Sequence, residues 1–316
     1  MEKLLLPVIA GPTASGKTAA AVALCRRIGG EVVSADSMQV YSGMEILSAR
    51  PSPEEMRSVR HHMIGCVDPS RYYTVDAYRE DARACISEIA ARGAVPVLCG
   101  GTGLYIDAVT RPMSFSSRSD PVLHAELLAI AEQPGGASRL HRMLEEIDPD
   151  SAARLHENDV RRVARSIEIY RLTGITQTEH ARRDREREGD YREVLFGLYW
   201  PKEALYRRID ERVDAMVAAG LVDEVRALVD GEAELPTAAQ AIGYKEIAAA
   251  LRGEMTMEKA VYLVKKATCG LAKRQMTWFR RDGRVIWLEA EGQSAEALAV
   301  RMQGEIDRLR GMESNY

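Results

Sequence analysis

The plainest chemistry in this chain lies in Gly11-Pro12-Thr13-Ala14-Ser15-Gly16-Lys17-Thr18, which satisfies G-x-x-x-x-G-K-[ST] between an apolar run and a helical pattern. Glycines in such a loop let the backbone close round an anion and turn its N–H groups, together with a helix N-terminus, toward it. Lys17 adds a point charge, and the Thr18 hydroxyl offers a ligand for Mg2+. The loop binds a diphosphate or polyphosphate and is silent about the group those phosphates carry.

Three further features could act on that compound. Asp36 ends the run Val32-Val33-Ser34-Ala35-Asp36-Ser37 at the carboxyl edge of an expected strand, where open α/β sheets collect their ligands. A base or substrate hook and a turn cap formed with Ser37 are both open readings of it. Gly100-Gly101-Thr102-Gly103-Leu104-Tyr105 follows another strand and opens a helix without the spacing of a dinucleotide site, and it stands where an NTPase keeps a metal-holding Asp. The third feature is basic: Lys265, Lys266, Lys273, Arg274, Arg280, Arg281 and Arg284 face Asp282 alone, a local +6 on a chain of net charge −4. Trp278 and Phe279 among them supply the mix of cation and stacking surface that nucleic acid recognition uses; a solvated helix face with both aromatics turned inward is the alternative. Arg161, Arg162 and Arg165 repeat the theme, diluted by Glu157, Asp159 and Glu168.

The elements that must hold these residues read as strands at 4–10, 31–35, 62–66 and 94–99, alternating with helical patterns at 17–28 and 74–92. Ser52-Pro53-Glu54-Glu55 is a capping-box start and Gly93 a helix stop. Repeated β-α-β units predict a doubly wound parallel sheet. From Arg111 a polar break (Pro112, Ser114, Ser116, Ser117, Ser119, Pro121) leads to helical patterns only, at 122–132, 138–147 and 158–173. The charged run 181–191 is expected to be a solvated loop. A strand at 192–200 returns the chain to the core, followed by helices at 202–231, 238–251 and 256–279, a strand at 285–288 and a C-terminal helix. The expected domains are 1–112 and 191–316 for the core and 113–190 for a helical insertion.

At 316 residues, 46% hydrophobic and 28% charged, the chain is composed like a globular protein and holds no apolar run near the roughly 20 residues of a membrane span. Five cysteines (Cys25, Cys66, Cys85, Cys99, Cys269) without C-x-x-C spacing suggest neither a disulfide framework nor a zinc site, and fit a cytoplasmic protein. With no heptad pattern, a monomer is the default expectation.

In order, GPTASGKT, SADSMQVYSGMEILSARP, GGTGLY, HENDVRRVARSIEIYRLTG, QAIGYKE and AKRQMTWFRR resemble the bacterial tRNA dimethylallyltransferase family across residues 4–288. The resemblance implies a P-loop NTPase-like α/β fold with an inserted all-helical tRNA-binding domain. It also implies transfer of a dimethylallyl group from dimethylallyl diphosphate to the N6 amine of adenosine 37, next to the anticodon of tRNA, with Mg2+ and release of diphosphate. The P-loop would hold the donor's diphosphate through Lys17, Arg212 would add a second cation, Thr102 would position the reacting ends, and Asp36 would act as the base. Spacing alone would instead pair Arg212 with Asp210, Glu211 or Glu203 on a helix surface. The tRNA contacts implied by the match are Asp36, Ser37, Met38, Gln39 and Thr102; Arg161, Arg162, Val163, Ala164 and Arg165; and Gln240, Ala241, Ile242, Gly243, Tyr244 and Lys245. The basic segment adds Lys273, Arg274, Trp278, Arg280 and Arg281. One departure concerns Val122-Leu123-His124, which follow an Asp-Pro after which relatives often carry arginine. No Cys/His cluster follows Trp287, which points to the bacterial form rather than the eukaryotic form with its zinc finger. Two rivals fit parts of the chain. A P-loop small-molecule kinase leaves the basic segment idle, and a nucleic-acid-binding ATPase lacks a Walker-B carboxylate.

Overall fold

In the computed structural model, which describes residues 3–113, 120–231 and 233–313, the P-loop joins strand β1 (Leu4–Ala10) to helix α1 (Lys17–Ile28). There follow β2 (Gly30–Ser34), α2 (Pro53–Ser58), β3 (His61–His62), α3 (Val75–Ala91), β4 (Val95–Gly100) and α4 (Gly103–Thr110). Helices α5 (Pro121–Ala131), α6 (Gly136–Ile147), α7 (Pro149–Arg154), α8 (Val160–Thr173) and α9 (Gln177–Arg185) come next. The chain continues with β5 (Tyr191–Tyr199), α10 (Lys202–Ala218), α11 (Leu221–Asp230), a 3-10 turn (Ala238–Gln240) and α12 (Tyr244–Leu251). It ends with α13 (Met257–Arg280), β6 (Ile286–Glu289) and α14 (Ala295–Glu313).

The strands form one sheet, ordered β3-β2-β4-β1-β5-β6, and every pair is parallel. Side chains alternate across a strand, so each strand feeds two cores. Leu6, Val8, Val33, Leu98 and Leu195 pack on one face with α3, α4 and the helices after β5. Ile9, Val32, Val97, Phe196 and Leu198 pack on the other with α1 and α14. This is the doubly wound α/β arrangement that the alternation of patterns predicts.

The chain divides into two compact units, Met1–Thr110 with Tyr191–Tyr316, and Arg111–Asp190. The second is all-helical among its described residues and closes on Leu127, Leu140, Leu144, Val163, Ala164 and Ile167. Asp120 caps α5 by accepting from Val122 N and Leu123 N at 2.9 and 3.1 Å. The predicted serine-rich break at Ser114, Ser116, Ser117 and Ser119 lies outside the described residues.

Several expected elements differ in extent. The strand expected at 62–66 pairs only at His61–His62, because Met63 and Gly65 both take φ of 60° and turn the chain out of the ladder. The run expected as a loop at 181–191 continues α9 to Arg185, stabilised by Arg182 and Arg183 pairing with Glu179 one turn away. The pattern at 202–231 is two helices divided at Gly220, whose φ is 103°, and that at 238–251 is interrupted at Gly243, φ 105°. The short α7, capped by Asp148 ahead of Pro149, lies between two predicted helices.

Candidate active site

Strands β1, β2 and β4 end side by side, so the P-loop, Asp36 and the Gly100-Gly101-Thr102 turn meet at the carboxyl edge of the sheet. The β4 turn is a close approach of two backbones. A Cβ at Gly100 would lie 2.0 Å from the Ala35 carbonyl oxygen, and Thr102 N donates to that same oxygen at 3.1 Å. Ser37 N donates to Thr102 Oγ1 at 3.1 Å, which fixes the threonine against the loop carrying Asp36. Asp36 Oδ1 accepts from Met38 N at 2.9 Å and Gln39 N at 3.4 Å. The turn cap is thus present, and Asp36 also lines a cavity of about 440 Å³ with Lys17, Thr18, Thr102 and Arg212. Leu47, Val213, Met216, Ile242, Val264 and Leu271 form its apolar wall.

The P-loop is braced from the far end of the chain. Gly16 stands at the N-cap of α1 with φ 87° and no side-chain cap, which leaves the first-turn N–H groups for an anion. Lys17 Nζ donates to Pro12 O at 2.6 Å. Arg212 points inward, away from its acidic helix neighbours, and donates to Ala49 O at 3.1 Å and Thr13 Oγ1 at 3.4 Å. Arg208 Nε donates to Ala14 O at 2.9 Å and its guanidinium lies 4.3 Å from the Trp200 ring centroid, while Trp200 Nε1 donates to Ser15 O at 3.0 Å. Gln275 closes the frame: its Oε1 accepts from Thr13 N at 2.9 Å and its Nε2 donates to Gly101 O at 3.0 Å, joining α13 to both glycine turns.

Two cations crowd this loop. Burial brings the Lys17 ammonium down to about 8, with Arg212 pushing the same way against Cys99 and Asp36. Burial lowers Arg212 as well, against the pull of Asp36. Burial pushes the Cys99 thiol up to about 12 despite the nearby Lys17, and so favours the protonated thiol. An anion between Lys17 and Arg212 relieves both.

Of the expected tRNA contacts, Ser37, Met38, Gln39, Gln240, Ala241, Ile242, Arg274 and Trp278 line the same cavity as Asp36 and Thr102. Tyr244 and Lys245 open α12, Lys245 exposed and Gly243 buried beside Leu47. Trp278 is 42% exposed, donates from Nε1 to Asp107 Oδ2 at 3.1 Å and lies on Gly103, whereas Phe279 is buried; the inward reading holds for one aromatic only. Lys273, Arg274, Arg280 and Arg281 are exposed and form no ion pair among the described residues, while Lys265 is held by Asp214 and Arg284 by Asp282 and Glu193. In the helical unit, Arg161 and Arg162 are exposed on α8, while the Val163 and Ala164 side chains are fully buried in the core of that unit. Arg165 and His124 both turn to the fully buried Glu168, at 2.9 and 3.1 Å.

Gln275, Arg208, Trp200 and His61 escaped the sequence analysis. Nothing local marks them, since their partners lie 185, 194 and 262 positions away for Trp200, Arg208 and Gln275.

The "IPP transferase" family model matches residues 39–282 and the "Isopentenyl transferase" model residues 4–67. The chain is 43% identical to the tRNA dimethylallyltransferase of Carboxydothermus hydrogenoformans, over 95% of this chain and 96% of that one. It is 48% identical to that of Desulforudis audaxviator, over 90% and 92%. Among solved structures, the full-length tRNA isopentenylpyrophosphate transferase of Bacillus halodurans superposes with a TM-score of 0.74 at 38% identity, covering 99% of both chains. A eukaryotic dimethylallyltransferase acting on tRNA gives 0.76 at 29% identity, over 91% of this chain and 74% of that one. This chain therefore belongs to the tRNA dimethylallyltransferase family.

Proposed function

We propose that the chain transfers a dimethylallyl group from dimethylallyl diphosphate to the N6 amine of adenosine 37 in tRNA, releasing diphosphate, with the P-loop cavity as the reaction site. One observation carries this assignment of the site: Asp36 and Thr102 share a single cavity with Lys17 and Arg212, so an anion-holding wall faces a carboxylate. In allylic transfer the carbon becomes cationic as negative charge gathers on the leaving diphosphate, and fixed cations and N–H dipoles stabilise that separation. Lys17, Arg212 and the first-turn amides of α1 are placed to do so. Asp36 faces the acceptor; its carboxylate takes the amine proton as the C–N bond forms, because the amine becomes acidic only then. The adenine leaves its stack to enter the cavity, past Trp278 at the rim.

The donors present fit Mg2+. Thr18 contributes a hard oxygen to the cavity, and among the described residues no group of three or more His, Cys, Asp or Glu forms an all-protein cage. Mg2+ favours that pattern, taking one protein oxygen, phosphate oxygens and water. Between two cationic side chains it would enter with the diphosphate, and it would supply neutralisation of phosphate charge there.

The reaction test is direct. Labelled dimethylallyl diphosphate and undermodified tRNA with Mg2+ should yield labelled RNA; tRNA-independent ATP hydrolysis without label transfer would instead return the kinase or ATPase reading. The RNA surface has its own test. If Lys273, Arg274, Arg280 and Arg281 meet phosphates, replacing each with Gln should flatten the log–log salt dependence of tRNA binding by roughly 0.7–0.9 per lost contact, and donor binding should be unchanged in the Lys273, Arg280 and Arg281 variants, which lie outside the cavity lining. An unchanged slope in the quadruple variant would move the surface to Arg161 and Arg162.

A further inference from the structure

Among the polar atoms of the cavity that the reaction outlined above does not use, one is a histidine ring nitrogen. His61 lines the cavity, and its Nε2 is buried without a hydrogen-bond partner. The other ring nitrogen lies 2.8 Å from the Val59 carbonyl oxygen. A carbonyl only accepts, so Nδ1 carries the proton and Nε2 is left as an acceptor. Burial lowers the pKa of this histidine, against the pull of the Val59 carbonyl and Glu55, so the ring is neutral near pH 7.

Strand register shows where that acceptor faces. Val32 pairs with His61 and with Val97, and Ser34 pairs with Cys99. Residues paired across a ladder share a face, so His61, Ser34 and Cys99 stand on the face covered by α1, whose first turn carries Lys17 and Thr18. Cys99 feels the Lys17 ammonium, which places this part of the cavity beside the phosphate-binding end.

An acceptor here cannot meet a phosphate oxygen, which is also an acceptor; a donor must stand between them. A water bound to a divalent cation has its lone pair engaged by the metal and both protons directed outward. It can donate one proton to Nε2 and the other to a phosphate oxygen. A buried ring nitrogen without a partner, beside Ser34, Cys99 and the first turn of α1, calls for such a donor.

We propose that His61 is a positioning residue for Mg2+, its Nε2 accepting a hydrogen bond from a water of the ion held by Thr18 and the diphosphate. The proposal rests on the reading of Thr18 as the metal ligand. Outer partners of this kind set metal affinity by about 10–100-fold.

The test uses calorimetric binding of inorganic diphosphate to the full chain, with and without Mg2+, in wild type, His61→Asn and His61→Gln. Asn keeps a donor for Val59 O and lacks reach into the cavity; Gln places a carbonyl oxygen near the position of Nε2. In wild type, Mg2+ should tighten diphosphate binding. In His61→Asn that tightening should fall about 10–100-fold while Mg2+-free binding is unchanged, and His61→Gln should restore most of it. Full Mg2+ tightening in His61→Asn, or an equal loss with and without Mg2+, overturns the role of His61 alone. No Mg2+ effect in wild type removes the Thr18 reading and this proposal together.

Discussion

Asp36→Asn lowers kcat by about 10²–10⁴-fold and leaves tRNA affinity within a few-fold of wild type. The substitution separates the two duties of the side chain. Oδ1 of asparagine can still accept from Met38 N and Gln39 N, so the turn that sets Ser37 against Thr102 persists. Only basicity is lost. Asp36→Ala removes the turn as well, and should weaken tRNA binding in addition to slowing transfer. Single-turnover transfer with saturating tRNA reads the chemical step, and a binding titration reads the turn. Turnover near wild type in Asp36→Asn would make Asp36 a cap alone.

The second large effect is at Lys17, where stability and activity move in opposite directions. Its folded value of about 8 lies below the ordinary lysine value of 10.5, because folding desolvates the ammonium. Below pH 8 both the folded and unfolded chains carry the proton, and the folded protein bears the full cost. Between 8 and 10.5 the unfolded chain holds a proton that the folded one has released, so stability rises with pH through that window. Lys17→Met should therefore stabilise the ligand-free protein at pH 7 by about 1–3 kcal/mol, read by urea unfolding, while reducing transfer by at least about 10²–10³-fold. Diphosphate reverses the balance by favouring the ammonium. Above pH 8, binding should take up a proton, visible as a buffer-dependent heat, and affinity should fall as the pH rises. A destabilised Lys17→Met, or one that still transfers the dimethylallyl group, contradicts this account.

What could be read in the linear chain was whatever chemistry compresses into a few neighbouring residues. The P-loop, the strand-end carboxylate of Asp36 and the second glycine turn are local motifs, and the period-two and helical patterns around them placed the doubly wound sheet. Arg212 was ambiguous because acidic residues stand next to it in the sequence, and only packing shows that it turns to Thr13 and Ala49. Gln275 and Trp200 reach the P-loop only after most of the chain has folded back on it, so no window of sequence reveals them. The run at 181–191 misled in the other direction: high charge suggested solvated loop, yet i,i+3 and i,i+4 ion pairs make a solvated helix just as well.

The pairing of β1 with β5 has a consequence for synthesis. Leu4 through Ala10 bond along their whole length to residues that follow Arg111–Asp190 in the chain. At roughly 5–20 residues per second, a ribosome spends on the order of ten seconds on that stretch. Throughout, β1 is an open edge beside β4, with unpaired backbone groups and apolar Leu5 and Ile9 on the face that α14 will cover last. The helical unit has its own core and can fold in the interval. The bracing of the P-loop by Trp200, Arg208 and Gln275 arrives later still, so the loop is framed on all sides only after Gln275 has emerged. Until then the exposed β1 edge is where a holdase would have to bind to keep one emerging chain from pairing with another.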